Sequence, residues 1–402
     1  MNVISPFSRP FYVMLKPAGP ACNLRCSYCY YTEKASLYES SGAEVMSDAL
    51  LEEFTRQYIE AQTSPDVLFT WHGGEPLLRP ITFYRRALEL QRRYARGRHI
   101  DNCLQTNGTL LTDEWCRFLR DEGFLVGVSI DGPRSLHNPL RCGSFDRVMH
   151  GIELLVKYGV EWNAMATVNS LNAPHPVEFY RFFKQIGCRY LQFTPVVERT
   201  RDDGSPLSVP GWEEGGNLTS QSVSPDEWGS FACGVFDEWI KEDVGEVFVQ
   251  LFDATLANWA GVPPGVCSLA PVCGQAPAME HNGDLYSCDH FVFPSYRLGN
   301  IHHNSITEMM YGTRQRAFGE AKLKTLPRQC RECRWLFACN GECPRNRFVR
   351  DSYGDAGLNY LCRGYRRYFE HVAPYMDFMK AELDAGCAPA NVMAHRSELS
   401  RH

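Results

Sequence analysis

Short apolar runs alternate with longer segments of helical periodicity over the first half of the chain. Candidate strands, rich in β-branched and aromatic residues, cover 12–16, 67–71, 102–105, 125–130, 162–168 and 190–193. Segments 47–61, 112–122 and 145–158 carry apolar side chains at helical spacing, and Ser47 and Thr112 stand where helix N-caps are expected. This alternation predicts a parallel sheet. Six such repeats favour an α/β fold built as a partial (β/α)6 TIM-like barrel.

The pattern changes after residue 200. Residues 201–225 are rich in Gly, Ser and Pro and predict a surface loop or insertion, followed by helices over 225–241 and 247–259. From Cys267 onward, hairpin signals such as HNGD at 281–284 lie among closely spaced cysteines, and 364–383 predicts a closing helix. We therefore divide the chain into a barrel (1–200), an insertion with connecting helices (201–260), a metal-organised domain (261–364) and a C-terminal helix and tail (365–402).

Composition excludes several classes of protein. The chain has 402 residues, is 44% apolar and carries a formal charge of -6, so it can bury a large core and has no strong basic field for duplex nucleic acid. Its N-terminus lacks a basic start followed by a long apolar run, and no later stretch is long and apolar enough to span a membrane. We expect a cytoplasmic protein without nucleic-acid or membrane partners.

Cysteine usage points to metal binding. Seventeen cysteines without an export signal are unlikely to form a disulfide framework. Eleven of them fall into two tight constellations, whereas the other six are scattered and read as small buried hydrophobes or surface thiols: Cys103, Cys116, Cys142, Cys188, Cys233 and Cys387. Metal thiolates are the better account of the eleven.

The first constellation directly follows the first predicted strand. Cys22, Cys26 and Cys29 form C-x3-C-x2-C in CNLRCSYCY. A 4Fe-4S cluster ordinarily takes four thiolates, so three leave one iron open, and the amino and carboxylate groups of S-adenosylmethionine (SAM) could chelate that iron. The alternative is a zinc or structural cluster site whose fourth ligand lies elsewhere.

Polar motifs follow the next three predicted strands. These motifs should lie together at one end of the barrel, because ligands bind at the carboxyl ends of parallel strands. They are WHGGEP, QTNG (105–108) and SIDGP (129–133). Gly73 and Gly74 would let the backbone approach an amino-acid moiety closely, although a GG pair alone can be only a turn. Arg141 could pair with the SAM carboxylate or could be a solvated loop arginine.

The second constellation contains eight cysteines in the C-terminal part of the chain. They are Cys267, Cys273, Cys288, Cys330, Cys333, Cys339, Cys343 and Cys362. Eight ligands fit two four-cysteine sites, and the alternative is a pair of structural zinc sites.

These motifs together resemble the anaerobic sulfatase-maturating enzymes, a radical SAM family with a C-terminal SPASM domain that binds two auxiliary 4Fe-4S clusters. The resemblance is carried by KPAGPACNLRCSYCYY, WHGGEP, LQTNGTLL, LVGVSIDGP, GDLYSCDHFVFPSYRLGNI, CRECRWLFACNGECPRNRF and LNYLC. Residues 201–225 are the main part of the chain outside it.

The resemblance assigns the ligands and contacts. It gives Cys267, Cys273, Cys288 and Cys343 to the first auxiliary cluster, and Cys330, Cys333, Cys339 and Cys362 to the second. It places SAM against Tyr28, Gly74, Ser129, Arg141 and, through its backbone, Val197, and it makes Asp289 the proton acceptor. His72 departs from the Gln of many relatives, and the loop after Arg141 is shorter than usual, which affects the placement of Arg141.

The implied activity is oxidation of a Cys or Ser in an unfolded sulfatase polypeptide to Cα-formylglycine, with three [4Fe-4S] clusters and SAM as cofactors. The implied partners are a Cys/Ser-x-Pro-x-Arg segment and an electron donor such as flavodoxin or ferredoxin. Two alternatives remain. A SPASM maturase that crosslinks a ribosomally made peptide shares the cluster motifs, and a non-enzymatic electron-transfer protein would carry clusters without binding SAM.

Overall fold

A computed structural model of the protein describes residues 11–37, 45–207 and 216–399. Part of the predicted loop (208–215), the last residues of the tail (400–402) and the N-terminal residues 1–10 lie outside the described ranges.

Strands and helices alternate through the first half of the described chain and become shorter in the second half. The strands are β1 Met14–Leu15, β2 Asp66–Trp71, β3 His99–Thr106, β4 Leu125–Ser129, β5 Trp162–Val168, β6 Tyr190–Pro195, β7 Arg199–Thr200, β8 Asn217–Leu218, β9 Phe248–Val249, β10 Ala278–Met279, β11 Asp284–Tyr286, β12 Arg297–Asn300, β13 Val349–Arg350 and β14 Ala356–Leu358. The helices are α1 Asp48–Ala61, α2 Ile81–Tyr94, α3 Asp113–Asp121, α4 Arg134–His137, α5 Phe145–Tyr158, α6 Pro176–Gln185, α7 Pro225–Glu242, α8 Gln250–Trp259, α9 Ile306–Tyr311, α10 Thr313–Lys324, α11 Arg328–Arg331, α12 Leu336–Cys339, α13 Cys362–Asp384 and α14 Val392–Leu399.

The chain divides into two compact units. The first comprises Met1–Ser129, Leu140–Trp162 and Val272–Ala321. Its sheet has the order β12-β11-β10-β1-β2-β3-β4, in which β10, β1, β2, β3 and β4 run parallel and the hairpin strands β11 and β12 are antiparallel. A hairpin from the late, cysteine-rich part of the sequence therefore extends the sheet that begins with β1.

The second unit comprises Ile130–Pro139, Asn163–Pro271 and Lys322–His402. Strands β5, β6 and β9 pair in parallel, and the long helix α13 packs along α7 and α8. The close approach of α7 and α13 depends on glycine, because a Cβ on Gly364 would lie 2.2 Å from the carbonyl oxygen of Pro225. This unit also holds the short helices α11 and α12, which carry cysteines of the second constellation.

Local sequence explains where the helices begin. The Ser47 hydroxyl accepts a hydrogen bond from the Leu50 amide at 3.2 Å, and the Thr112 hydroxyl accepts one from the Trp115 amide at 3.2 Å. Each satisfies an amide that the first helical turn leaves without an internal partner. Both predicted N-caps are thus confirmed.

The predicted strands differ from the observed ones mainly at their ends. The strand over 162–168 matches β5, whereas β3 is longer than predicted and β1 is assigned only two residues. Hydrogen bonds nevertheless continue past both ends of β1, because the Tyr12 amide donates to Gln275 and the Lys16 amide donates to Met279 at 2.9 Å. The predicted βα alternation is confirmed. Within the described residues, no helix is long and apolar enough to cross a membrane.

Candidate active site and auxiliary cluster cavity

The first cysteine constellation lies on an irregular loop directly after β1. Cys22 is exposed, and Cys26 and Cys29 are half-buried. The Cys29 amide donates to the Cys26 carbonyl at 3.1 Å, and the Leu24 amide donates to the Cys22 sulfur at 3.4 Å. Amide donors directed at sulfur stabilise thiolate ligands of iron-sulfur clusters. The loop thus offers three soft ligands, one exposed and two half-buried, which fits the donor set of a cluster with one open iron.

The buried residue Glu75 joins this loop to the end of β3, through its backbone amide on one side and its carboxylate on the other. One carboxylate oxygen accepts from the Leu77 amide at 2.9 Å and the Thr106 hydroxyl at 2.8 Å, and the other accepts from the Asn107 amide at 2.8 Å. The Glu75 amide donates to the Ala21 carbonyl at 2.8 Å. Burial raises the pKa of Glu75 to about 7, although these donors partly offset the effect.

Gly74 is required by the same junction. Its amide donates to the Gly19 carbonyl at 2.9 Å, and a Cβ at this position would lie 2.0 Å from the Ala21 carbonyl oxygen. No side chain fits there without moving the loop that carries Cys22. The predicted close backbone approach at WHGGEP is therefore a contact with the cysteine loop itself.

Replacing Glu75 with alanine should lower the free energy of unfolding by about 3 kcal/mol, because it leaves two buried amides and the Thr106 hydroxyl without their acceptor. Chemical denaturation of the anaerobically purified protein would measure the change. Glu89→Ala is the matched control, since Glu89 is exposed and pairs with the neighbouring Arg86 at 3.2 Å. Its effect should stay within about 0.5 kcal/mol. Equal effects would contradict the role given to Glu75.

The residues expected to contact SAM occupy both units. In the first, the buried Arg141 guanidinium lies 5.5 Å from the centroid of the Tyr28 ring, and the Ser129 hydroxyl accepts from the Gln105 side chain at 3.0 Å. Tyr28, Gly74, Ser129 and Arg141 thus lie at strand ends or on loops of one unit. Val197 is buried in the second unit just after β6.

Asp289 lies in the first unit, immediately after Cys288, and is 5% exposed. One carboxylate oxygen lies 2.5 Å from the Lys16 ammonium, and the other accepts a hydrogen bond from the Tyr30 hydroxyl. Burial would raise the pKa of Asp289, but the Lys16 ammonium, together with His72 and His290, outweighs burial and holds this pKa well below its usual range. The predicted proton acceptor is thus an ionised carboxylate beside the cysteine loop.

Lys16, Tyr30 and Tyr31 were not predicted as site residues. Lys16 ends the predicted first strand and has 0% exposure, which is rare for lysine. The two tyrosines directly follow Cys29, and the Tyr31 hydroxyl donates to the buried carboxylate of Glu280. A lysine within an apolar strand was the one signal in the sequence that could have indicated a buried charge here.

The second unit contains a cavity of about 530 Å³ lined by four cysteines. Cys330 lies in α11, Cys339 ends α12, Cys362 begins α13, and Cys333 lies between the two short helices. Trp335 and Phe369 form an apolar part of the wall. Burial, with repulsion from neighbouring thiols, raises the pKa of Cys330 to about 12. Four thiols around one cavity fit the four-cysteine set assigned to the second auxiliary cluster.

The four cysteines assigned to the first auxiliary cluster are divided between the units. Cys273 and Cys288 belong to the first unit, and Cys267 and Cys343 belong to the second. The Lys322 ammonium donates to the Cys267 carbonyl at 2.6 Å, and the Cys273 amide donates to the Gly319 carbonyl at 3.2 Å. The grouping of these four as ligands of one cluster stays a prediction.

Comparisons with known proteins agree with this picture. Residues 17–183 match the radical SAM superfamily, and residues 273–334 match an iron-sulfur cluster-binding domain, SPASM. The chain is 60% identical, over 97% of its length and 96% of the relative's, to a serine-type anaerobic sulfatase-maturating enzyme of Bacteroides thetaiotaomicron. It is 32% identical, over 91% of its length and 97% of the relative's, to a cysteine-type enzyme of Clostridium perfringens.

A solved structure described as native anSMEcpe with bound AdoMet and Kp18Cys peptide is also similar. It superimposes with a TM-score of 0.81 at 31% identity and covers 93% of this chain and 99% of its own.

Proposed function

The chain belongs to the anaerobic sulfatase-maturating enzymes, and on that premise we propose that its target is a serine in an unfolded sulfatase segment of the form Ser-x-Pro-x-Arg. It is a radical SAM enzyme with a SPASM domain, it uses SAM and [4Fe-4S] clusters, and it converts a peptidyl Ser or Cys to Cα-formylglycine. The fold class predicted from the sequence is confirmed.

The preference for serine rests on one observation, the much higher identity to the serine-type relative than to the cysteine-type one. The segment sequence and an electron donor such as flavodoxin or ferredoxin rest on the family resemblance. The crosslinking alternative is not favoured, because these relatives are named for sulfatase maturation.

We assign roles to the chain's residues as follows. Cys22, Cys26 and Cys29 would hold the cluster that binds SAM, and Tyr28, Gly74, Ser129, Arg141 and Val197 would contact SAM. When bound, SAM and this cluster supply the one-electron chemistry that removes a hydrogen atom from the Cβ of the target residue. Asp289 would accept the hydroxyl proton of serine, since its carboxylate is ionised and borders the loop that carries the cysteines.

The remaining cysteines would hold two auxiliary clusters. Cys330, Cys333, Cys339 and Cys362 would hold one, which the shared cavity supports. Cys267, Cys273, Cys288 and Cys343 would hold the other. The limits of all four predicted regions stay predictions: the barrel (1–200), the insertion (201–260), the metal-organised domain (261–364) and the closing helix and tail (365–402).

A matched pair of peptides tests whether serine or cysteine is the preferred target residue. The two peptides differ only by Ser or Cys at the target position, and each is incubated anaerobically with SAM and a reductant. We expect the serine peptide to lose two hydrogens, with a kcat/KM at least about tenfold above that of the cysteine peptide, whose thiol would be exchanged for an aldehyde oxygen. Mass spectrometry measures both products.

The same peptide with its Arg replaced by Ala is the control for recognition, and we expect its KM to rise. Faster conversion of the cysteine peptide would contradict the serine preference. An unmodified serine peptide, together with crosslinking of some other peptide, would favour the alternative maturase.

A further inference from the structure

Lys16 is a fully buried charge at a point where three segments of the first unit meet. It follows β1, its amide donates to Met279 in β10, and its ammonium lies 2.5 Å from Asp289. Burying an ammonium without compensating partners costs several kcal/mol, so its contacts determine whether the site is stable.

The ammonium has two further contacts. It lies 3.1 Å from Nδ1 of His72 and 4.5 Å from the centroid of the Tyr31 ring. Nδ1 of His72 also accepts from the Gly73 amide at 2.8 Å. Two donors on one nitrogen place the ring proton on Nε2. Burial, and then the Lys16 ammonium, lower the pKa of His72 to about 4, so the ring is neutral at physiological pH.

Asp289 is therefore held at both oxygens, by Lys16 at one and by the Tyr30 hydroxyl at the other. The second buried carboxylate of this region, Glu280, accepts from Tyr31 and has His281 at 3.5 Å. Asp289 thus has an ion pair and a tyrosine donor as partners, and Glu280 has a tyrosine donor and a nearby histidine. A carboxylate fixed at both ends has one orientation, which an acceptor of a proton from a bound substrate requires.

We propose that Lys16 is a positioning residue for the oxidation, which fixes the orientation of the Asp289 carboxylate toward the substrate hydroxyl. The inference rests on the role proposed above for Asp289. In the step concerned, which follows removal of the hydrogen atom from Cβ, the O–H bond of the target residue breaks and its proton passes to the carboxylate that Lys16 holds. The electron left on the substrate radical would pass to an auxiliary iron-sulfur cluster, which completes the two-electron oxidation. His72 supports Lys16 as a neutral acceptor at 3.1 Å.

The test is the ratio of SAM cleaved to formylglycine formed. Lys16→Met should raise this ratio by about tenfold or more, because hydrogen abstraction proceeds while proton transfer is misdirected. The KM for the serine peptide should stay within about twofold, since Lys16 acts through Asp289 and not on the peptide. In the double variant with Asp289→Asn, the ratio should not exceed that of Asp289→Asn alone.

Lys34→Met is the matched control. Lys34 is 1% exposed, pairs with Glu33 at 3.0 Å and lies 3.3 Å from the centroid of the Phe293 ring, so it is an equally buried lysine with the same types of contact. The ratio of SAM cleaved to formylglycine formed in this variant should equal that of the unmodified enzyme. Iron content and SAM affinity are measured for every variant.

Three results would overturn the inference. The first is an unchanged ratio of SAM cleaved to formylglycine formed in an iron-replete Lys16→Met variant. The second is a double variant whose ratio is the product of the increases in the two single variants. The third is a ratio in Lys34→Met as high as that in Lys16→Met. If Lys16→Met loses iron, Lys16→Arg is the deciding variant. A severalfold higher ratio of SAM cleaved to formylglycine formed supports the inference, because the longer, planar guanidinium cannot place its charge where the ammonium does. An unchanged ratio overturns it. Failure of the unmodified enzyme to form formylglycine would instead overturn the proposed function.

Discussion

Replacement of Cys22, Cys26 and Cys29 with alanine is expected to abolish SAM cleavage and to reduce the iron content from about twelve to about eight atoms per chain. The eleven clustered cysteines would account for three four-iron clusters, one of which would have only three protein ligands. Without that cluster SAM has no metal to chelate, so no product should form, whereas the cavity of the second unit keeps its four thiols. Iron analysis after anaerobic reconstitution and chromatography of cleaved SAM measure both effects.

Cys116, Cys188 and Cys233 provide the control for that experiment. All three are buried in the core, and burial raises their pKa values to about 11, 11 and 12, respectively, which keeps them as thiols. Replacing the three with alanine should leave the iron content unchanged. Tightly bound zinc in the protein, or about twelve irons in the variant without the first three cysteines, would contradict the cluster assignment.

Asp289→Asn is expected to cleave SAM at a near-normal rate while formylglycine formation falls at least about a hundredfold. The variant keeps the shape of the side chain but loses the basic carboxylate, and that carboxylate is needed only after the hydrogen atom has been removed. It also leaves the buried Lys16 ammonium without its ion pair, so we expect a loss of stability of about 3 kcal/mol.

Asp284→Asn is the matched control, because Asp284 lies in the same hairpin and pairs with Arg297 at 2.5 Å. Product formation in this variant should stay near normal. Loss of iron or of SAM cleavage in Asp289→Asn would indicate that Asp289 only stabilises the loop beside Cys288. Unchanged product would exclude Asp289 as the proton acceptor.

The same ion pair sets the acid stability of the site. The folded pKa of Asp289 lies below its unfolded value, which is about 3.9 for an aspartate. Its contribution to folding is therefore fully present above pH 4 and is lost only as the pH falls below that value. His72 is neutral above about pH 5, so neither group should limit product formation near neutral pH.

The sequence by itself determined the features that depend on neighbours within a few residues. The caps at Ser47 and Thr112, the length of β5 and the C-x3-C-x2-C loop all follow from local spacing, because a helix turn or a ligand loop is completed within about four residues. The wide spacing of Cys362 from Cys330 did not show that they line one cavity. That required the fold to bring the start of α13 beside α11.

Only the tertiary structure decided the partners of Asp289. Met14 of β1 pairs with Ala278 of β10, so a hairpin from late in the chain joins the sheet beside the first strand and its following lysine. Nothing local to Lys16 or Asp289 encodes their 2.5 Å ion pair. Strand pairing between distant segments depends on the burial of the whole sheet and not on either segment alone. Here that pairing buries Lys16, although lysine is usually exposed, and its charge then requires a partner.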